Sequence, residues 1–150
     1  MMIFGTTRRL RCMGFTILAA LMAAPAIATA GPINLTITGI RNQDGVVRCG
    51  LFASAAGFRE PGREMMEATG KINGGRSTCS FKSVPSGTYA VAVFHAERGE
   101  RKMDIGLFGK PKQGVGFSRN PSIAFGPPSF AAAAFTVGNE PVNMTVGLNY

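Results

Sequence analysis

The residues best suited to chemistry lie between Tyr89 and Asn120, in a stretch that begins as a strand pattern and ends in glycines and basic residues. His95 is the only histidine of the chain, and the carboxylates of Glu97, Glu100 and Asp104 follow it closely. A histidine can serve as a general base or a metal ligand, and clustered carboxylates can bind a hard cation such as Ca²⁺. Two chemistries therefore need testing: an enzyme centred on His95, and a calcium loop.

Catalysis at His95 would require partners that the sequence does not place beside it. A serine hydrolase would need Ser118 or Ser129 close to His95, and "GFSRN" is not the G-x-S-x-G turn that exposes a nucleophile. His95 instead continues the alternation of Val91 and Val93, which favours a histidine that hydrogen-bonds loop backbone at a strand end. A small hydrolase or metal-dependent enzyme remains the alternative, and no cofactor is predicted.

The same stretch carries a group of basic side chains. They are Arg98, Arg101, Lys102, Lys110, Lys112 and Arg119. No run of five Lys or Arg and no aromatic RNA-binding motif accompanies them, so nucleic acid is not predicted as a partner. A basic face can bind an anionic partner, and a solvated loop is the alternative. We expect these cations and His95 to form a binding surface for an anionic envelope component or a protein.

The first thirty residues have the pattern of a secretory signal peptide. Three arginines within residues 8–11 precede an apolar run over residues 13–24, and the small-residue triplet 28–30 follows. The run is too short for an ordinary membrane span, although an uncleaved anchor is the alternative. We expect cleavage after Ala30, a domain over 31–150, a periplasmic or extracellular location and no transmembrane segment in the mature chain. Removing the three arginines would lower the net charge from +8 to +5.

Two cysteines remain in the expected mature chain, and both lie on apolar faces of predicted strands. An even pair in an exported protein normally forms a disulfide, so Cys49 and Cys79 are predicted to be bonded. Closing a loop of this length would contribute about 3–4 kcal/mol in the chain-entropy model. Two buried free thiols are the alternative.

The elements that position these residues have a period of two. Ile33, Leu35 and Ile37 alternate with polar residues, and residues 89–94 are apolar on both faces, which is typical of a central strand. Many short strands with Gly and Pro turns predict an all-β protein, a single antiparallel sandwich of about seven strands. Two local predictions complete the pattern: a helical turn over Glu64 to Ala68, and a strand in "FAAAAFTVG".

The last strand and the long connection before it give the sharpest burial predictions. In the alternation from Val142 to Tyr150, Asn143 and Thr145 should be exposed. The apolar residues Val142, Met144, Val146 and Leu148 should be buried. The connection from Ala96 to Ser129 is long for a loop, and such loops are usually functional. It should pack on the sandwich by burying Leu107, Phe108, Phe117 and Phe125, with its charges pointing outward.

Several of these segments together carry a resemblance to a known family. "GTYAVAVFH", "GLFGKPKQGVGFSRN" and the closing "PSFAAAAFTV" and "VNMTVGLNY" resemble the domain of unknown function 2141 family of small exported bacterial proteins. The resemblance extends from about Leu35 to Tyr150, and "GKPKQGVGFS" is its most specific part. It implies an immunoglobulin-like or prealbumin-like sandwich and no assigned activity.

The resemblance also bears on the calcium loop. In the family the histidine is typically followed by D-E-N-x-N-G-K-L-D, a run that looks like a calcium loop. Here the run is "AERGERKMD", in which Ala96 stands for the first Asp and Arg98 and Arg101 replace an Asn and the Gly. Glu97, Glu100 and Asp104 remain, but two guanidinium groups among them oppose a cation. We therefore predict no metal site.

Overall fold

The computed structural model describes residues 30–104 and 111–150, and within these ranges the regular secondary structure is almost entirely strand. The elements are β1 (Ala30–Thr38), β2 (Val46–Phe52), β3 (Met66–Gly70), β4 (Ile72–Asn73), β5 (Arg76–Pro85), β6 (Gly87–Ala96), β7 (Val115–Phe117), α1 (Phe130–Ala133), β8 (Phe135–Val137) and β9 (Val142–Gly147). The all-β prediction is confirmed, with nine strands in these ranges where about seven were expected.

The strands form two sheets that pack face to face. One has the order β4-β5-β1-β9, and the other has the order β3-β2-β6-β7, with β8 also paired to β6. β6 has neighbours on both sides, as predicted for a central strand. The antiparallel prediction is wrong for one pair, since β1 and β9 run parallel from Ile33 opposite Val142 to Thr38 opposite Gly147. The immunoglobulin-like or prealbumin-like topology stays a prediction.

The core between the sheets is built from the alternating apolar residues. Ile33, Leu35 and Ile37 of β1 are at most 1 % exposed, and the residues facing them from β2 and β6 are equally buried. A disulfide joins Cys49 of β2 to Cys79 of β5, with their Cα atoms 6.6 Å apart, inside the range of about 4.4–6.8 Å that a disulfide tolerates. The predicted bond is confirmed, and it links the two sheets covalently.

The last strand is part of the sandwich. Val146 and Leu148 are buried, while Asn143 and Thr145 are exposed, as predicted. Val142 and Met144 are half-buried rather than buried, because β9 lies at the edge of its sheet and has one neighbouring strand there, β1.

Two local predictions are wrong. Residues 66–70 form β3, an edge strand paired with β2, and not a helical turn. Its side chains Met66 and Ala68 pack against the core, so the period of two prevails over helix propensity. "FAAAAFTVG" is divided: residues 130–133 form one helical turn, and Phe135–Val137 form β8. The Ser129 hydroxyl caps that turn by accepting from the Ala132 N–H at 3.2 Å.

The face of the five-stranded sheet that points away from the core has a cover of its own. The segment 53–65 and α1 lie on it, and a second apolar cluster forms there, made of Phe52, Phe58, Ala90, Val115, Phe117 and Ala133. Part of the long connection therefore folds onto the sandwich and contributes β7. Phe117 is 6 % exposed as predicted, but Phe125 is fully exposed, so its predicted burial is wrong. Leu107 and Phe108 lie outside the described residues.

The signal-peptide prediction concerns residues 1–29, which lie outside the described ranges, and Ala30, where β1 begins. Cleavage after Ala30 stays a prediction. Among the residues that the structure describes, none belongs to a helix long and apolar enough to cross a membrane.

Candidate ligand-binding surface

His95 lies in the interior at the end of β6, and its side chain is fully buried. Its Nε2 is 2.7 Å from the backbone carbonyl of Asp44. Because a carbonyl oxygen only accepts, Nε2 carries the proton in the neutral ring, and Nδ1 accepts from the Tyr150 hydroxyl at 2.8 Å. The predicted hydrogen bond to loop backbone is confirmed. His95 therefore does not share a surface with the exposed cations.

His95 is covered by Arg41, Glu97 and Tyr150. Arg41 contacts both carboxylate oxygens of Glu97, at 2.5 and 2.7 Å, and its guanidinium lies 4.5 Å from the centre of the Tyr150 ring. The hydrogen bond from Arg41 lowers the pKa of Glu97, and burial raises the pKa of Tyr150. A Cβ on Gly114 would overlap the Tyr150 ring, so glycine is required there.

In the run "AERGERKMD", the carboxylates of Glu97, Glu100 and Asp104 form ion pairs with arginine side chains. Arg98 binds Glu100 at 2.9 Å and Asp104 at 3.1 Å. The pKa of Glu100 falls to about 2, because its carboxylate accepts backbone N–H bonds from Glu100 and Arg98 as well as the guanidinium bond. Within 30–104 and 111–150, no group of three or more His, Cys, Asp or Glu side chains could hold a metal ion. The absence of a metal from the protein stays a prediction.

This network fixes the segment that carries Arg101 and Lys102. Arg48 of β2 donates to the backbone carbonyl of Glu100 at 2.7 Å, and Arg98 holds the segment from the other side through its two carboxylate partners. Arg101 and Lys102 are exposed, and neither forms an ion pair with the residues described. Their charges are therefore held in place without being neutralised.

The remaining predicted cations lie elsewhere. Lys112 lines a shallow depression with Arg98, Glu97 and Glu100, where the charges balance. Arg119 is exposed and donates to the carbonyl of Ala134 at 3.2 Å, beside α1. Lys110 lies outside the described residues. The five predicted cations that the structure describes thus do not form one continuous face.

Arg101 and Lys102 stand on the rim of a depression on the outward face of the five-stranded sheet, which we call the outer groove. It has a volume of about 60 Å³. Its lining consists of Gly50, Phe52, Arg59, Pro61, Glu64, Ala92, Val93, Phe94, Arg101, Lys102, Met103, Val115 and Phe117. Gly50 and Ala92 lie directly opposite each other on β2 and β6. The side chains of Glu64 and Phe52 fill the space above Gly50, and the single methyl group of Ala92 leaves the floor low over β6.

The charges around the outer groove are unequal. Arg59, Arg101 and Lys102 contribute three positive charges, and Glu64 contributes one negative charge. The Glu64 Oε2 atom accepts a hydrogen bond from the Gly62 N–H at 2.7 Å, while Arg59 lies 5.7 Å from the centre of the Phe58 ring. The groove is therefore an apolar floor with a net positive rim.

The family model described as "Uncharacterized protein conserved in bacteria (DUF2141)" matches residues 35–145. The chain belongs to this family. A comparison with curated proteins and a comparison with solved structures each gave no match.

In this DUF2141 protein, the serines considered for catalysis have structural roles. Ser118 is fully buried, and its hydroxyl accepts from the Val91 N–H at 2.9 Å and donates to the Ala133 carbonyl at 2.6 Å. Ser129 caps α1. Among the described residues, neither hydroxyl forms a hydrogen bond with His95, whose ring nitrogens are both hydrogen-bonded to other groups.

Sequence reasoning missed Arg59, the floor of the outer groove and the contact between Tyr150 and His95. The floor had a usable signal at Ala92, a small outward residue next to Phe94 on the outward face of a strongly apolar strand. Arg59 lies far in sequence from the other rim cations, in a segment without periodicity. Tyr150 ended a clear alternation, but nothing in that alternation indicated its partner.

Proposed function

We propose that this DUF2141 protein is an exported, non-catalytic binding module of the bacterial cell envelope that captures an anionic partner through Arg101 and Lys102. One observation carries the proposal. These two cations are exposed and lack ion pairs among the described residues, yet a network of hydrogen bonds holds their segment at the rim of an apolar groove. Neighbouring charges pair with one another, so the unpaired cations are available to a ligand.

Export is supported by two independent features. The pattern of residues 1–30 is that of a secretory signal peptide, and the Cys49–Cys79 bond is typical of an oxidising compartment. Both are consistent with a periplasmic or extracellular location.

A binding role is favoured over the hydrolase alternative by the state of the polar side chains. A general base must reach the proton that it abstracts, whereas His95 is fully buried and bonded at both ring nitrogens. Among the described residues, no serine hydroxyl forms a hydrogen bond with His95.

The test is capture of partners inside the cell. The full chain would carry an affinity tag, cells would be treated with a short cross-linker, and cross-linked partners would be recovered from the wild type and from the Arg101→Glu/Lys102→Glu variant. The matched control is Arg76→Glu/Lys82→Glu, which changes the charge equally on exposed positions of β5 in the other sheet.

We expect the groove variant to lose its partner and the control to retain it. Raising the salt concentration should weaken capture by the wild type, because exposed charges are screened. A groove variant that retains every partner of the wild type would contradict the proposal, as would a protein that remains in the cytoplasm.

A further inference from the structure

We propose that the outer groove binds an acidic peptide segment of a partner protein and seats one small aliphatic side chain of that segment on its floor. The carboxylates that flank this side chain would meet Arg59, Arg101 and Lys102. The inference rests on the proposed function and names the ligand class of the same site.

The size of the groove limits what can be buried in it. Its volume of about 60 Å³ is only several times the roughly 10–15 Å³ that a cavity needs to hold one water molecule. Sites that enclose a cofactor or drug-sized molecule measure about 300–1,000 Å³. A group such as the branched end of a valine fits this volume, whereas an acyl chain or a cofactor ring system does not.

The shape of the surface favours an extended ligand. A second depression of about 30 Å³ adjoins the outer groove and shares Gly50, Glu64, Phe94 and Arg101 with it. The two depressions together cross β2 and β6 at the paired residues Gly50 and Ala92. A peptide can follow such a shallow path while inserting a single side chain, and a compact ligand would leave half of the path empty.

The charge around the groove favours a peptide with acidic residues on both sides of the seated side chain. The cations Arg59, Arg101 and Lys102 surround an apolar floor, and Glu64 is the one carboxylate in the lining of the outer groove, already accepting from Gly62. The adjoining depression adds Arg48 and Glu67, so the whole path keeps more cations than carboxylates. Complementary charge speeds association and rejects partners of the wrong sign. A basic or neutral segment would leave the three cations uncompensated, so an acidic segment is the best match.

Synthetic peptides test the ligand class directly. The first probe is a short, fluorescein-labelled peptide of Asp and Glu with one central valine. The second replaces that valine with glycine, and the third replaces the acidic residues with lysine. Anisotropy titrations of the purified protein would give Kd values, and amide chemical shifts of the ¹⁵N-labelled protein would locate the bound peptide.

We expect the acidic valine peptide to bind, with shifts at Ala92, Phe94 and their neighbours. The glycine peptide should bind about tenfold more weakly, and the lysine peptide should not bind. Arg101→Glu/Lys102→Glu should weaken binding of the valine peptide by at least about tenfold. Ala92→Leu, which fills the floor without changing charge, should do the same. The control Arg76→Glu/Lys82→Glu should change Kd by less than about twofold.

Each other outcome overturns the inference in a recognisable way. If charge reversal abolishes capture in cells but the valine and glycine peptides bind equally, the proposed function stands and the seated side chain is wrong. If vesicles of phosphatidylglycerol bind to the groove and the acidic peptides do not, the ligand is a membrane surface. If no probe binds and charge reversal leaves capture intact, both proposals fail.

Discussion

The two faces of the five-stranded sheet are made by the same strands and differ in how completely their residues are buried. On the inward face Val47, Leu51 and Val91 are fully buried against the other sheet. On the outward face Gly50 and Phe94 are half-buried, and a groove remains between the segment 53–65 and the cations. Native interiors are packed to a high density, so the inward face is built for stability and the outward face leaves room for a ligand.

The polar groups follow the same division. His95 ends the inward row of β6, where each ring nitrogen has a hydrogen-bond partner. Arg101 and Lys102 face outward without an ion pair in the described residues. Substitutions on the inward face should therefore act on stability, and substitutions on the outward face should act on binding.

The largest effect is expected from the disulfide between the sheets. Replacing both cysteines, as Cys49→Ala/Cys79→Ala, should lower the free energy of unfolding by about 3–4 kcal/mol, because the closed loop no longer restricts the unfolded chain. Urea unfolding of the oxidised wild type and the variant would measure this. The wild type treated with a reductant is the control and should match the variant, and a loss below about 1 kcal/mol would contradict the prediction.

The next largest effect is expected at His95. His95→Ala should lower the free energy of unfolding by about 2–3 kcal/mol, since it leaves a cavity and removes the partners of the Asp44 carbonyl and the Tyr150 hydroxyl. Thermal and urea unfolding would measure the loss. Tyr150→Phe removes the hydrogen bond to His95 and the one that the hydroxyl accepts from the Arg41 N–H, and it should cost about 1–2 kcal/mol.

Binding provides the control for that experiment. At a temperature where the His95→Ala variant is folded, it should bind the acidic valine peptide as the wild type does. A folded variant with normal stability and no binding would place His95 in the ligand site and revive a functional role for it.

Much of the inward face could be predicted from sequence, because its rule is local. Side chains two residues apart lie on one face of a strand, so Ile33, Leu35 and Ile37 identified β1, and the position of the two cysteines indicated their bond. The parallel pairing of β9 with β1 could not be predicted in this way, since alternation reports which face is buried and says nothing about the neighbouring strand.

The outward face depends on contacts between distant segments. The outer groove is lined by residues from three parts of the chain, within 50–64, 92–103 and 115–117. The cations of the long connection looked alike in sequence, and what separates them is whether they form an ion pair with a carboxylate. Arg98 has two such partners, and Arg101 has none among the described residues.

A smaller effect of opposite sign is expected from filling the groove. Ala92→Leu should raise the free energy of unfolding by about 0.5–1 kcal/mol, because it covers apolar surface at a half-buried position of the groove floor, while it weakens peptide binding. Denaturant unfolding and anisotropy on the same sample would measure both. Loss of stability together with normal binding would mean that the floor is structural and not a ligand site.

The smallest effect is expected from acid, through the network that holds Arg101 and Lys102. Hydrogen bonds from the backbone of Glu100 and from Arg98 lower the pKa of Glu100 from 4.5 to about 2, and the hydrogen bond from Arg41 lowers that of Glu97.

A carboxyl whose folded pKa is depressed contributes stability above its unfolded pKa and loses it as pH falls through the folded value. The contribution of Glu100 should therefore be complete above about pH 4.5 and disappear toward pH 2. The Glu100 side chain is only 16 % exposed, but its partner Arg98 is 75 % exposed, so solvent screening keeps this contribution small. Urea unfolding at a series of pH values should show a shallower decline for Glu100→Gln than for the wild type. Equal slopes would show that the Arg98 network does not stabilise the segment, and would remove the support proposed for the cations of the outer groove.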